Sequence, residues 1–103
     1  MAKGPENTFK NGELKRKLKE FKRMFFFTKE AVGIRGIPDI IGCCSGRFFA
    51  LEVKAHRNAK RTRLQEWKIS LIRKAGGFAE FIYPENCDEV LERLYNHCCL
   101  LSV

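Results

Sequence analysis

Apolar residues recur along this chain with two different periods, and each change of period marks an element. From Pro5 to Arg23 the spacing is helical: Leu14, Leu18, Phe21 and Phe25 fall on one stripe. Pro5 suits a first helical position, where its missing N–H is no loss. Gly12 interrupts the stripe at a cost of about 1 kcal/mol, so the helix can also begin after it. Phe25–Thr28 reads as a short strand, followed by a loop over 29–38. Two apolar runs, Asp39–Cys44 and Arg47–Val53, flank Ser45-Gly46 and read as a hairpin. Thr62-x-x-Gln65 is a capping box that opens a second helix. Leu64, Trp67, Leu71 and Ala75 line one side of that helix, and Gly76-Gly77 ends it. Phe78–Ile82 is a strand closed by Pro84. Asn86 is placed to cap a last helix, with Glu89 at its third position and Val90, Leu91, Leu94 and Cys98 on its apolar side. The predicted order is αβββαβα, a mixed α/β class, in one domain spanning 1–103.

The hairpin carries charge where a buried strand would not. With Ser45 and Gly46 as the two turn residues, Cys44 faces Arg47 and Asp39 faces Glu52. Facing side chains have Cβ atoms about 4.5–5.5 Å apart on one side of the sheet. The period of two puts Lys54 on that same side. A three-residue loop with a bulge would shift the pairing by one and leave Asp39 diagonal to Glu52. Two like charges opposite one another destabilise a sheet. Lys54 can offset them in a half-buried ion network, or a hard divalent cation can, since such ions take carboxylate oxygens. The second arrangement creates a Lewis acid beside a lysine, a set suited to hydrolysis of a phosphodiester.

Charge sharpens this reading. Twenty Lys and Arg against twelve Asp and Glu give +8, which suits a polyanionic partner. The excess is bunched in 10–23 and again in 54–63, where Lys54, Arg57, Lys60, Arg61 and Arg63 meet no acid. The five cysteines are odd in number and include no C-x-x-C, so reduced thiols are expected rather than a disulfide framework or a zinc site. No apolar run approaches the ~20 residues of a membrane span and no signal peptide is visible, which points to a cytosolic protein.

Pro38-Asp39 followed by Glu52-Val53-Lys54 matches the signature of the PD-(D/E)XK nuclease superfamily. The longer pattern GIPDIIG, GRFFALEVKA, T-x-x-Q and IRKAGGFAEFIYPEN, from about Glu6 to Leu94, resembles the VRR-NUC family, the virus-type replication-repair nucleases, and most of all its small stand-alone phage-encoded members. The resemblance implies a restriction-endonuclease-like αβββαβ core, a mixed sheet flanked by helices, here with an extra C-terminal helix. It implies Mg²⁺ or Mn²⁺ held by Asp39 and Glu52 with help from the Val53 carbonyl, and Lys54 as the catalytic lysine. A family glutamate on the first helix corresponds to Glu6 as first choice and Glu13 as second. For Glu13 the competing role is an i,i+4 pair with Lys17. Gln65 matches a family glutamine, yet it is also the third residue of the capping box, so two roles compete for one side chain.

The loop after Lys54 is basic where many relatives carry glycines. Arg57, Lys60, Arg61 and Arg63 are therefore expected to contact DNA phosphates. Trp67 and the FFF run at 25–27 are capable of stacking on bases, but core packing is the expectation for them. The resemblance thus leads to a metal-dependent DNA endonuclease, structure-specific on branched DNA such as a Holliday junction. It would act as a homodimer, since one site cuts one strand, in the cytoplasm of a bacterial host carrying the phage or prophage. The apolar tail CCLLSV adds a little to the case for pairing. Two alternatives stand beside it: a non-catalytic basic nucleic-acid-binding module, and a restriction-type nuclease that reads sequence.

Overall fold

The computed structural model describes residues 4–29 and 36–99. Most of the predicted 29–38 loop and the end of the apolar tail, 100–103, lie outside the described residues. The first helix, α1, is α-helical over Pro5–Phe9, widens into a π turn over Lys10–Leu14 and is α-helical again over Lys15–Leu18. Gly12 lies in the π turn, and Phe9, Leu14 and Leu18 are the buried side. Strands β1 (Met24–Thr28), β2 (Ile40–Cys44) and β3 (Arg47–Val53) follow, then α2 (Arg63–Lys74), β4 (Phe78–Ile82), a 3₁₀ turn at Pro84–Asn86 and α3 (Cys87–Cys99). This is the predicted αβββαβα order, a mixed α/β fold.

The four strands lie in sequence order, β1, β2 and β3 antiparallel and β4 parallel to β3. The hairpin turn is the two-residue kind: Ser45 has φ 53° and Gly46 φ 83°, the paired left-handed geometry that fits strand twist. Cys44 accordingly pairs with Arg47 and Ile40 with Leu51. Gly42 serves the neighbouring contact, since a Cβ there would lie 2.1 Å from the Phe25 carbonyl oxygen.

Alternation along the strands makes two cores. One face turns Ile40, Cys44, Phe49, Leu51, Val53 and Ile82 toward α1 and α3, where they pack with Leu14, Leu18, Val90 and Leu94. Full burial of each such aliphatic side chain contributes about 1.5–3 kcal/mol. The opposite face presents Ala50, Ala79 and Phe81 to Ile69 of α2, with Ile41 and Ile72 at the margin.

Several expectations are corrected. The first helix ends at Leu18 rather than Arg23; Phe25 lies in β1, where the strand reading over Phe25–Thr28 put it. The side of α2 predicted as apolar is the outer one: Leu64, Trp67 and Leu71 are exposed, and Ile69 is the buried residue. Helical spacing found a stripe, but tertiary packing chose the neighbouring one. Core packing also fails for the aromatics: Phe25 is 67% exposed, Phe27 55% and Trp67 55%, and of the FFF run only Phe26 packs against the core. Asn86 does not cap forward. Its side-chain oxygen accepts from the Tyr83 N–H at 2.8 Å and its amide donates to the Phe81 carbonyl at 3.1 Å, tying off β4. Finally, Cys44 and Cys98 are joined as a disulfide, with Cα atoms 5.7 Å apart, where reduced thiols were expected. The two lie 54 residues apart and meet only because α3 packs across the end of β2.

Candidate active site

The strand register extends one step past Ile40–Leu51, so Asp39 and Glu52 come face to face at the open end of the hairpin. Both are buried, at 8% and 6% exposure, and Lys54 beside them is 8% exposed. Ionisable residues this deep need partners, and each partner here is specific. Asp39 accepts a hydrogen bond from the Val53 N–H through Oδ2 at 2.9 Å. Its own carbonyl accepts from the Lys29 N–H at 2.7 Å, which fixes the chain leading into β2.

Glu52 is held by Gln65, whose Nε2 donates to Oε2 at 3.1 Å. The Gln65 Oε1 accepts from the Lys54 Nζ at 2.9 Å and from the Thr62 N–H at 3.0 Å. The Thr62 hydroxyl in return accepts from the Gln65 N–H at 3.1 Å. The capping role and the site role therefore do not compete. One amide closes the first turn of α2 and bridges acid to lysine, because a glutamine carries two donors and a two-lone-pair acceptor. Lys54 completes its bonding on the Lys60 carbonyl, also at 2.9 Å, and lies over the Phe81 ring.

Among the described residues no ion pair joins Asp39 or Glu52 to a lysine or arginine. The two carboxyl groups instead face each other across the hairpin. Burial first, and then the Asp39 charge and hydrogen bond, push the Glu52 carboxyl well above the ordinary glutamate range.

Glu6 reaches this spot from the first turn of α1. Burial raises its pKa, the Asp39 charge raises it further, and Lys54, Lys10 and Lys29 pull against that rise. Glu13 does not take part: it pairs with Lys17 at 2.7 Å, and Lys17 makes a second bond of 2.7 Å to Asp88. Glu13, Cys87 and Asp88 do gather three ligand-type atoms within 4.8 Å of one another, but the Lys17 ammonium already answers both acids there.

Two lysines escaped the sequence reading. Lys10 is 8% exposed despite its charge, one helical turn from Glu6; that i,i+4 spacing was the available signal. Lys29 sits across from Asp39 in the extended β1–β2 register and donates to the Ile37 carbonyl at 3.0 Å. Its place depends on a strand pairing closed by a long loop, which no local pattern announces.

Arg57, Lys60, Arg61 and Arg63 are all exposed in or beside the loop that wraps Lys54. Arg61 lies 4.2 Å from the centre of the Phe81 ring, which anchors its stem next to the site. Val53 offers its N–H to Asp39.

The donor set fits a hard divalent cation. It offers two facing, buried carboxyl groups that no lysine or arginine among the described residues meets in an ion pair, although the Lys54 and Lys29 charges act on them from nearby. Among the described residues no helix is long and apolar enough to cross a membrane. Comparison with protein-family models, curated proteins and solved structures finds no match for this chain.

Proposed function

We propose that this protein is a divalent-metal-dependent DNA endonuclease of the VRR-NUC type. One observation carries the reading: two buried carboxyl groups face each other across the hairpin with no ion-pair partner among the described residues, while a buried lysine is held beside them through Gln65. A purely structural ion network would bring the lysine onto an acid. Here the ammonium is held near the acids but not spent on them.

Asp39 and Glu52 would hold Mg²⁺ or Mn²⁺, with the Val53 carbonyl and Glu6 as further oxygen donors. Such an ion polarises a phosphoryl oxygen and lowers the pKa of bound water. Lys54 orients the attacking water or steadies the charge that develops at phosphorus. Gln65 keeps that ammonium in place and fixes the Glu52 carboxylate. Arg57, Lys60, Arg61 and Arg63 position the DNA backbone without reading bases. Branched DNA, such as a four-way junction, is the substrate we favour, with two chains acting as a homodimer so that two strands are cut.

The test compares a four-way junction with a linear duplex of equal length, in Mg²⁺, in Mn²⁺ and in chelator. Metal-dependent cutting concentrated at the junction is the expected result. Tight binding without cutting in either metal would make the protein a binding module. Cutting confined to one sequence, whatever the DNA shape, would make it a restriction-type enzyme.

A further inference from the structure

The acid pair does not sit alone on its side of the sheet. Antiparallel partners share a face, so Phe27, Ile41 and Ala50 form the next row from Asp39–Glu52, and Phe25, Cys43 and Phe48 the row after. Helix α2 covers this face only over β3 and β4, where Ala50, Ala79 and Phe81 meet Ile69. Among the described residues nothing covers the part over β1, and Phe25 and Phe27 there are exposed, as are Cys43 of β2 and Phe48 of β3 in the last row.

One flank of α2 overlooks the open half: a Cβ at Gly36, just ahead of β2, would meet the side chains of Leu64 and Lys68. Lys68 in turn lies 5.3 Å from the ring of Trp67. Along the free edge of β1 stand Lys15 and Lys19. At the far end is Lys29. No acid interrupts the two aromatic rows before Asp39 and Glu52 themselves.

We infer that this open aromatic face binds an unpaired stretch of nucleic acid, its bases stacked on Phe25 and Phe27, and delivers that strand to the acid pair. Base–aromatic stacking with a lysine border is how single strands are held without regard to sequence. Phe25 and Phe27 are about 7 Å apart along the strand, a step that adjacent nucleotides of an extended strand can span. A duplex cannot use such a platform, because its base faces are already stacked. A second copy of this chain is disfavoured as the occupant. Two lysine-bordered faces would repel, and the pairing would close the approach to Asp39 and Glu52. The inference refines the nuclease reading by naming the DNA feature it seeks, the unpaired strand at a branch.

The experiment measures binding of a fluorescent oligothymidylate of about 12 nucleotides, and of a duplex of equal length, in chelator so that no cutting intervenes. The proteins are the wild type, the double variant Phe25→Leu/Phe27→Leu and the double variant Phe25→Tyr/Phe27→Tyr. Leucine keeps apolar bulk for folding but removes the π face; tyrosine keeps it. The leucine pair is expected to lose about tenfold in single-strand affinity with duplex affinity nearly unchanged, and the tyrosine pair to bind like wild type. Equal loss for both DNAs, or no loss for the leucine pair, would overturn the inference. So would a dimer in solution that the leucine pair converts to monomer with single-strand binding intact, since the face would then belong to a second copy. Stacking that survives in a protein unable to cut any DNA would uphold the platform and remove the nuclease.

Discussion

Asp39 does two things with one carboxylate: it accepts the buried Val53 amide hydrogen and it presses against Glu52. Substitutions separate these. Asp39→Asn retains an acceptor for the Val53 N–H, adds a donor toward Glu52 and removes the repulsion. In chelator and above the Glu52 pKa of about 8, where both acids are ionised, it is expected to be more stable than wild type by on the order of 1 kcal/mol, the scale of one relieved carboxylate clash. Asp39→Ala leaves the Val53 N–H unsatisfied and is expected to cost about 1–3 kcal/mol. Equal destabilisation by both, read from thermal melts, would mean that the acids do not repel. The same clash sets a pH dependence. Glu52 and Glu6 both hold their protons more tightly in the fold than in the unfolded chain, whose ordinary value is 4.5. Above that pH the unfolded chain releases its protons first, so the metal-free protein is expected to lose stability as pH rises from there through the raised folded values. Saturating Mg²⁺ should flatten that decline, because it favours the ionised pair. Melting temperatures across the interval check this, and a metal-free stability that climbs with pH would contradict it. The meeting of Asp39 with Glu52 was legible in the sequence because a two-residue turn leaves only one register. Placing Glu6 ahead of Glu13 rested on the resemblance and not on a local pattern, since it depends on how the start of α1 lies against the sheet.

At the scale of elements, Gln65 couples the start of α2 to the hairpin. Gln65→Glu keeps the capping box, which accepts either residue at its third position. It also replaces the donor to Glu52 with a further carboxylate. The expected result is unchanged helical content, a lower melting temperature in chelator and at least about a tenfold loss of cutting. Gln65→Ala should in addition weaken the α2 terminus by about 1 kcal/mol. A stability loss in Gln65→Ala with none in Gln65→Glu, measured by circular dichroism melts, would show that the side chain serves the cap alone. Order and type of the elements could be read from periodicity and turn residues. Which side of α2 faces inward could not, because the Leu64–Trp67–Leu71 stripe and the Ile69–Ile72 side compete. Only the sheet decides between them, with small residues at Ala50 and Ala79 that let Ile69 approach. The Cys44–Cys98 bond was hidden for the same reason: it links elements that share no local pattern.

Across the whole molecule, the charge of +8, the exposed arginines beside Lys54 and the exposed aromatics of β1 are what support the proposed partner, a polyanion with accessible bases. In the proposed reading the acid pair gives the rest a purpose, because buried carboxylates would repel a nucleic acid unless a cation intervened. The most direct measurement is conversion of supercoiled plasmid by wild type in Mg²⁺ and in Mn²⁺. It is set against wild type in chelator and against Asp39→Asn and Lys54→Ala with metal present. Wild type should nick or linearise the plasmid only with metal, and both variants, still folded, should be slower by at least about a hundredfold. Plasmid and four-way junction both bound but uncut by wild type in both metals, or plasmid cut by Asp39→Asn at the wild-type rate, would contradict the account.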